Sequence, residues 1–125
     1  MKKLLLLSAL LLVVGVMTAS AQVFDFTVVN KTGYTISEVY VSPSDDDEWG
    51  EDVLGVDQLL NGKSVEIEFD SVYEAVLLAF GVDMYDLKAI YSDGSEDEIY
   101  ELQLEDISTL TLTLDKKGNG VATWK

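Results

Sequence analysis

Carboxylates, amines and hydroxyls are the only groups available for chemistry in this chain, because it contains no histidine, no cysteine and no arginine. Their absence excludes serine hydrolases with a histidine base, thiol catalysis, zinc sites built from His and Cys, and arginine clamps on phosphate. The chain does carry 23 Asp and Glu residues. The sequence therefore predicts a protein that binds rather than an enzyme.

The densest group of carboxylates lies in residues 44–52. Its six acids are Asp45, Asp46, Asp47, Glu48, Glu51 and Asp52. Ca²⁺ takes about six to eight oxygen ligands, so an ion could order this loop. The simpler interpretation is a solvated loop, since each repulsion costs only about 1 kcal/mol at 4 Å in water and salt screens it further. The spacing does not match an EF-hand, because Trp49 and Val56 occupy positions where that loop needs ligands.

Trp49 stands inside this acidic loop and has two interpretations. An exposed indole next to Gly50 would be a platform that stacks against a partner, with Tyr34, Tyr40 and Tyr85 as candidate neighbours. Alternatively the side chain closes one end of the core as a buried plug. We favour the plug, because Pro43 precedes the loop and the apolar pair Val53-Leu54 follows it.

The first 21 residues have the three-part pattern of a secretory signal peptide. Lys2 and Lys3 precede an apolar stretch from Leu4 to Met17, and Ala19-Ser20-Ala21 presents small residues for cleavage. We predict cleavage after Ala21, leaving residues 22–125 as one domain in the periplasm or outside the cell. Without cysteine the mature chain cannot be a lipoprotein acylated on a cysteine beside the cleavage site, so we expect no stable membrane anchor.

The charge of the mature chain restricts its partners. The predicted leader contains two of the eight basic residues and none of the 23 acidic ones, so its removal changes the net charge from −15 to −17. Nucleic acids and anionic lipids are bound through Lys and Arg, so we do not expect either. We expect a cationic protein, another envelope component or a metal ion.

Alternating apolar residues predict an all-β fold. Phe24, Phe26 and Val28 recur at every second position, the spacing of one strand face, and so do other sets of apolar residues further along the chain. These sets are Val65, Ile67 and Phe69; Leu87, Ala89 and Tyr91; and Leu110, Leu112 and Leu114. About seven such strands separated by Gly, Asp and Asn turns predict an antiparallel β-sandwich, with an open barrel as the alternative.

Residues 71–82 fit two structures. Ser71-x-x-Glu74 has the form of a helix capping box, and Val72, Val76 and Phe80 follow at helical spacing. An apolar strand over 75–80 is the alternative. The sequence allows at most one short helix, near residues 72–80.

Several motifs resemble a family of small exported bacterial proteins that are rich in β-structure. They are Asn30-Lys-Thr-Gly-Tyr34, Tyr40-Val-Ser-Pro-Ser44, Trp49-Gly-x-Asp-x-Leu-Gly55 and Tyr85-Asp-Leu-Lys88. Members of that family carry cysteines near the second motif, which this chain lacks. The resemblance implies export and a β-rich domain, and it implies no reaction.

The sequence as a whole predicts an exported, non-catalytic interaction module of the bacterial envelope, with the 44–52 loop as a candidate Ca²⁺ site and Trp49 as a candidate contact. A small carboxylate-dependent glycoside hydrolase is the first alternative, since two acids across a groove suffice for that reaction. A structural or cation-buffering periplasmic protein is the second alternative.

Overall fold

The computed structural model describes residues 24–125, so the predicted leader lies outside the described residues. The described part contains seven strands, one α-helix and one 3₁₀ turn at Leu104–Asp106. The strands are β1 (Phe26–Asn30), β2 (Ile36–Pro43), β3 (Ser64–Ile67), β4 (Met84–Tyr91), β5 (Glu96–Gln103), β6 (Thr109–Leu114) and β7 (Gly120–Trp124). Helix α1 spans Ser71–Ala79, which decides between the two alternatives for residues 71–82 in favour of the helix. Within residues 24–125 no helix is long and apolar enough to cross a bilayer.

The strands form two sheets, which confirms the predicted all-β, sandwich-like fold. One sheet has the order β3-β1-β6-β7 and the other has the order β2-β4-β5. Neighbours are antiparallel except β1 and β6, which run parallel with Val28 opposite Leu110. Alternation in a sequence reports which face of a strand is buried, but not the direction of its neighbour, so the parallel pair was not foreseeable.

The core lies between the inner faces of the two sheets. Buried side chains from the first sheet include Phe26, Val28 and Leu110, and they face Leu87 and Ala89 from the second. Full burial of a large apolar side chain such as Val, Leu or Phe stabilises the folded state by about 1.5–3 kcal/mol relative to leaving it exposed. Burial of these alternating positions is therefore what holds the two sheets together.

Helix α1 closes one end of the core, and it begins one residue earlier than the capping-box pattern predicts. Asp70 is the N-cap, and its carboxylate accepts hydrogen bonds from the N–H groups of Val72 (2.9 Å) and Tyr73 (3.3 Å). Glu74 does not close a capping box. Its side chain is buried and its Oε1 accepts a hydrogen bond of 3.2 Å from the N–H of Phe24. The helix is thus tied to the segment that enters β1.

A buried asparagine organises the turn between β1 and β2. The Nδ2 of Asn30 donates to the carbonyls of Tyr34 (2.7 Å) and Leu59 (2.9 Å), and its Oδ1 accepts from the N–H and the hydroxyl of Thr32. Gly33 has φ of 91°, a left-handed conformation that favours glycine. The Asn-x-Thr-Gly motif therefore has a structural role in this chain.

Each side of the sandwich is bordered by one edge strand from each sheet. On the β2–β3 side, the loop of residues 44–63 crosses the gap and pairs with β2, where Ile36 and Leu59 exchange N–H···O bonds of 3.0 and 2.8 Å. On the β5–β7 side no such loop is needed, since β5 and β7 contact each other directly. These two sides carry the features discussed below.

Candidate functional site

Asp52, one of the six predicted metal ligands, attaches the acidic loop to β2. The Oδ1 of Asp52 accepts hydrogen bonds from the N–H groups of Val39 (2.9 Å) and Leu54 (3.0 Å). Asp46 is used locally in the same way, accepting a bond of 3.1 Å from the N–H of Glu48. These contacts fix a turn, which is a common role for short acidic side chains in loops.

The structure does not gather the remaining acids around one point. Asp45, Asp47, Glu48 and Glu51 are exposed along the loop. In the part of the chain that is described, no group of three or more acidic side chains has the arrangement of a metal site. Calcium binding at this loop therefore stays a prediction and receives no geometric support.

Trp49 is neither a fully exposed platform nor a fully buried plug. Its side chain is half-buried, and it contacts a cation: the Nζ of Lys88 is 5.2 Å from the Trp49 ring and 5.1 Å from the ring of Tyr40. Lys88 is directly opposite Tyr40 on the paired strands β2 and β4. Cation–π contacts at this distance stabilise by about 0.5–1 kcal/mol when exposed, so Lys88 helps to fix the indole beside the sheet.

Beside Trp49 the β2–β3 side opens into a narrow cleft, which we name the seam cleft. It lies between the ends of β2 and β3, the start of α1 and the acidic loop. Val41, Val53 and Ile67 contribute apolar wall, and Trp49 and Phe69 contribute aromatic wall. Its volume is about 90 Å³, well below the roughly 300–1,000 Å³ of typical small-molecule sites. A cleft of this size accommodates one side chain.

Two tyrosines complete the lining of the seam cleft. Tyr85 is fully buried, with its ring against Phe24 and Phe69 at centroid distances of 5.2 and 5.7 Å. Its hydroxyl has no hydrogen-bond partner among residues 24–125. Burial raises the pKa of Tyr85, so the phenol stays neutral and can both donate and accept. Tyr73 also lines the cleft, and burial followed by the charge of Asp46 raises its pKa to about 12.

The rim of the seam cleft is acidic. Glu51, Glu68 and Asp70 line it, and none of the lining residues is a lysine. Burial raises the pKa of the neighbouring Asp25, against the lowering effect of a hydrogen bond from the N–H of Phe69, and the charge of Glu68 raises it further. The rim therefore favours a cationic group and disfavours an anionic one.

The predicted neighbours of Trp49 separate into three places. The rings of Tyr40 and Trp49 both contact the ammonium group of Lys88. Tyr85 lines the seam cleft together with Trp49. Tyr34 lies elsewhere, exposed at the rim of a second cleft of about 270 Å³ on the β5–β7 side. Lys88 was missed by sequence reasoning, because only the β2–β4 register brings it to Tyr40 and Trp49.

Comparison with known proteins supports the fold and nothing finer. No protein-family model and no curated protein matches the chain. Among solved structures, the chain is similar to a protein from Eubacterium rectale determined by NMR, at 16% identity and a TM-score of 0.54, over 80% of this chain and 85% of that one. At that identity the likeness shows a shared fold.

Proposed function

We propose that the mature chain is an exported, non-catalytic binding module of the bacterial envelope that receives one side chain of a cationic protein partner in the seam cleft. The observation that carries this proposal is the cleft itself: an apolar and aromatic slot of about 90 Å³, large enough for a single side chain, with an acidic rim. A net charge of −15 for the whole chain favours a cationic partner at longer range.

The residues around the cleft support binding more than catalysis. Asp70 is engaged as the cap of α1, and Asp25 accepts the N–H of Phe69 at 2.7 Å. A glycoside hydrolase needs two free carboxyl groups across a groove that admits a sugar ring. The seam cleft is too small for that ring, so the hydrolase alternative would have to use another surface.

The binding proposal is tested by filling the cleft without disturbing the core. Val53 lines the cleft and is 42% exposed, whereas Val56 lies on the same loop, is fully exposed and lines no part of the cleft. Val53→Trp should therefore abolish binding of a basic test peptide, and Val56→Trp should leave it intact. Amide chemical shifts followed by NMR during titration give the affinity and the location together.

If both variants bind a lysine-rich peptide as well as the parent chain does, or if the shift changes lie away from Val53, Phe69 and Tyr73, the seam cleft is not the binding site. A folding control by urea denaturation should place Val53→Trp and Val56→Trp within about 1 kcal/mol of the parent, as expected for exposed positions.

Export is tested separately. We expect the secreted protein to begin at Gln22, because the small residues Ala19 and Ala21 precede that position. N-terminal sequencing of the protein recovered from the periplasm or medium measures this directly. Recovery of the chain with Met1 intact and in the cytoplasm would contradict the export part of the proposal.

A further inference from the structure

Helix α1 is apolar on its outer side as well as on its buried side. Residues 75–82 contain no charged and no hydrogen-bonding side chain. A surface helix normally turns a polar face to water, whereas a helix that is apolar all round is buried. The exposed side chains of α1 are those of Ala75, Leu78 and Ala79. The outer side of this helix therefore has the composition of a surface that another molecule covers.

Phe80 extends the apolar surface past the last turn of α1. It is the C-cap residue of the helix, and its side chain is 80% exposed, against 39% for Leu78. Exposed apolar residues that are scattered singly need no explanation, but contiguous ones mark interaction sites. We name Ala75, Leu78, Ala79 and Phe80 together the α1 face.

The side chains of the α1 face suit packing against another helix. Ala75 and Ala79 are one turn apart and small, so a second helix can approach the backbone of α1 closely. Leu78 and Phe80 are large and stand beside them, so they can pack between side chains of that second helix.

The charges around the α1 face discriminate among possible occupants. Asp70 precedes the helix and Asp83 follows Phe80, and residues 64–87 contain no lysine. Asp46 of the acidic loop is close enough to α1 for its charge to add to the effect of burial on the pKa of Tyr73. A second copy of this chain would bring like charges together, and an anionic lipid surface would be repelled. A segment with basic residues bordering an apolar stripe complements both the face and its surroundings.

We infer that the α1 face docks a basic amphipathic helix of a partner protein. The apolar stripe of that helix packs on Leu78 and Phe80, and its lysine or arginine side chains lie towards Asp70 and Asp83. This surface goes beyond the proposed function, because it requires no side chain to enter the seam cleft. Since Asp70 and Tyr73 line the seam cleft, one partner can contact both surfaces.

The first experiment uses three blocked synthetic peptides and the chain that begins at Gln22. One peptide is an amphipathic helix of leucine and lysine, the second is a scrambled peptide of the same composition, and the third has glutamate in place of lysine. NMR titration should show tight binding of the first, roughly tenfold weaker binding of the second and no binding of the third. The largest amide shift changes should lie at Leu78, Ala79 and Phe80.

Variants of the chain then locate the contact. Leu78→Gln with Phe80→Gln should weaken binding of the amphipathic peptide roughly tenfold, since few residues carry most of the energy of an interface. Val121→Gln is the matched control, because Val121 is 37% exposed on β7, and it should leave the affinity unchanged. Asp83→Asn should weaken binding several-fold. If the double variant fails to fold by circular dichroism, Phe80→Gln alone decides, because that side chain is mostly exposed.

The outcomes distinguish this inference from the proposed function. If Val53→Trp blocks the amphipathic peptide and Phe80→Gln does not, the seam cleft binds it and the inference is overturned. If Phe80→Gln weakens binding and Val53→Trp does not, the inference stands without the seam cleft. Equal affinity for the scrambled peptide overturns the inference. So does dimerisation in sedimentation, or flotation with phosphatidylcholine vesicles, where Phe80→Gln abolishes it, because the occupant is then a second copy or a lipid surface.

Discussion

The two sides of the sandwich are closed in different ways. On the β5–β7 side, Asp97 bridges the sheets: its Oδ1 accepts from the N–H of Gly120 at 3.2 Å and its Oδ2 accepts from the hydroxyl of Tyr91 at 2.9 Å. On the β2–β3 side a loop spans the gap and leaves the seam cleft open, with the Tyr85 hydroxyl unpaired in the described residues. Tyr85 and Tyr91 lie at opposite ends of β4, facing the same core.

The two sides also differ in the clefts that they leave open. The β5–β7 side satisfies its buried polar atoms internally, and its larger cleft of about 270 Å³ includes Tyr91 and Asp97, which are already bonded to each other. The β2–β3 side holds its loop through Asn30 and Asp52, and the buried hydroxyl of Tyr85 has no hydrogen-bond partner in residues 24–125. The β5–β7 cleft is the larger of the two, whereas the seam cleft has the more apolar and aromatic wall.

The largest expected effect comes from Asn30→Ala, which removes the anchor of the loop on the β2–β3 side. The side chain is fully buried and makes four hydrogen bonds, so its loss leaves the buried N–H of Thr32 without its acceptor and removes one of the two donors to the carbonyl of Leu59. We expect a loss of about 3–5 kcal/mol in the free energy of unfolding, measured by urea denaturation.

Asn61→Ala is the matched control for that change. Asn61 makes an exposed hydrogen bond of 2.8 Å from the N–H of Gly33 in the same region, and its removal should cost less than about 1 kcal/mol. Equal losses for the two variants would show that burial of Asn30 is not what holds the loop.

Gly120→Ala should disrupt the Asp97 bridge between β5 and β7. A Cβ at this position would lie 2.5 Å from the Cγ of Asp97 and 2.8 Å from its Cβ, so the short aspartate must move and give up its two bonds. We expect a loss of about 2–3 kcal/mol by urea denaturation. In an Asp97→Gly background the same change should cost less than about 1 kcal/mol, because both the Cβ and the carboxylate of residue 97 are then absent and the clash is gone. Equal costs in both backgrounds would contradict the bridge.

The two tyrosines of β4 differ in whether their hydroxyls are hydrogen-bonded within residues 24–125. Tyr91→Phe removes the bond to Asp97 and should lower the free energy of unfolding by about 1–2 kcal/mol. Tyr85→Phe removes a hydroxyl that has no partner in residues 24–125, so stability should be unchanged or slightly higher. Denaturation midpoints of the two variants measure this directly. A large loss for Tyr85→Phe would mean that its hydroxyl is already bonded within the folded chain.

Much of this fold follows from local patterns. Alternation at Leu87, Ala89 and Tyr91 correctly gives the buried face of β4, and the Asp93-Gly94 turn correctly gives the hairpin to β5. Helix α1 was one of two open alternatives for residues 71–82. It forms because Asp70 caps it, and because Val72, Tyr73 and Leu77 bury one face while its other face stays exposed.

The site was less predictable, because it depends on contacts between residues that are distant in sequence. The composition of the acidic loop suggests a metal site, yet the carboxylate of Asp52 accepts a hydrogen bond from the N–H of Val39 in β2. The seam cleft combines Trp49 with Ile67, Tyr73 and Tyr85 from three other segments. The spacing of residues in the sequence cannot predict this cluster, because the sheet order and the strand register must be known before the contacts are.

A smaller effect is expected from the charge beside the seam cleft. Burial and the charge of Glu68 hold the pKa of Asp25 above its unfolded value of 3.8, despite the hydrogen bond from Phe69. A raised pKa means that the folded chain binds this proton more tightly than the unfolded chain does. The stability it contributes is therefore complete below pH 3.8 and is lost as the pH rises through the folded pKa.

Asp25→Asn isolates this contribution, because the amide oxygen can still accept from Phe69 while the charge is removed. Its melting temperature should exceed that of the parent at neutral pH, by an amount corresponding to less than about 1 kcal/mol, and the two should converge as the pH falls towards 3.8. Glu105→Gln, at an exposed site on the 3₁₀ turn, controls for the change in net charge. If Glu105→Gln stabilises as much as Asp25→Asn, net charge is responsible; if only Asp25→Asn does, the cause is local, namely burial of the Asp25 carboxylate reinforced by the charge of Glu68.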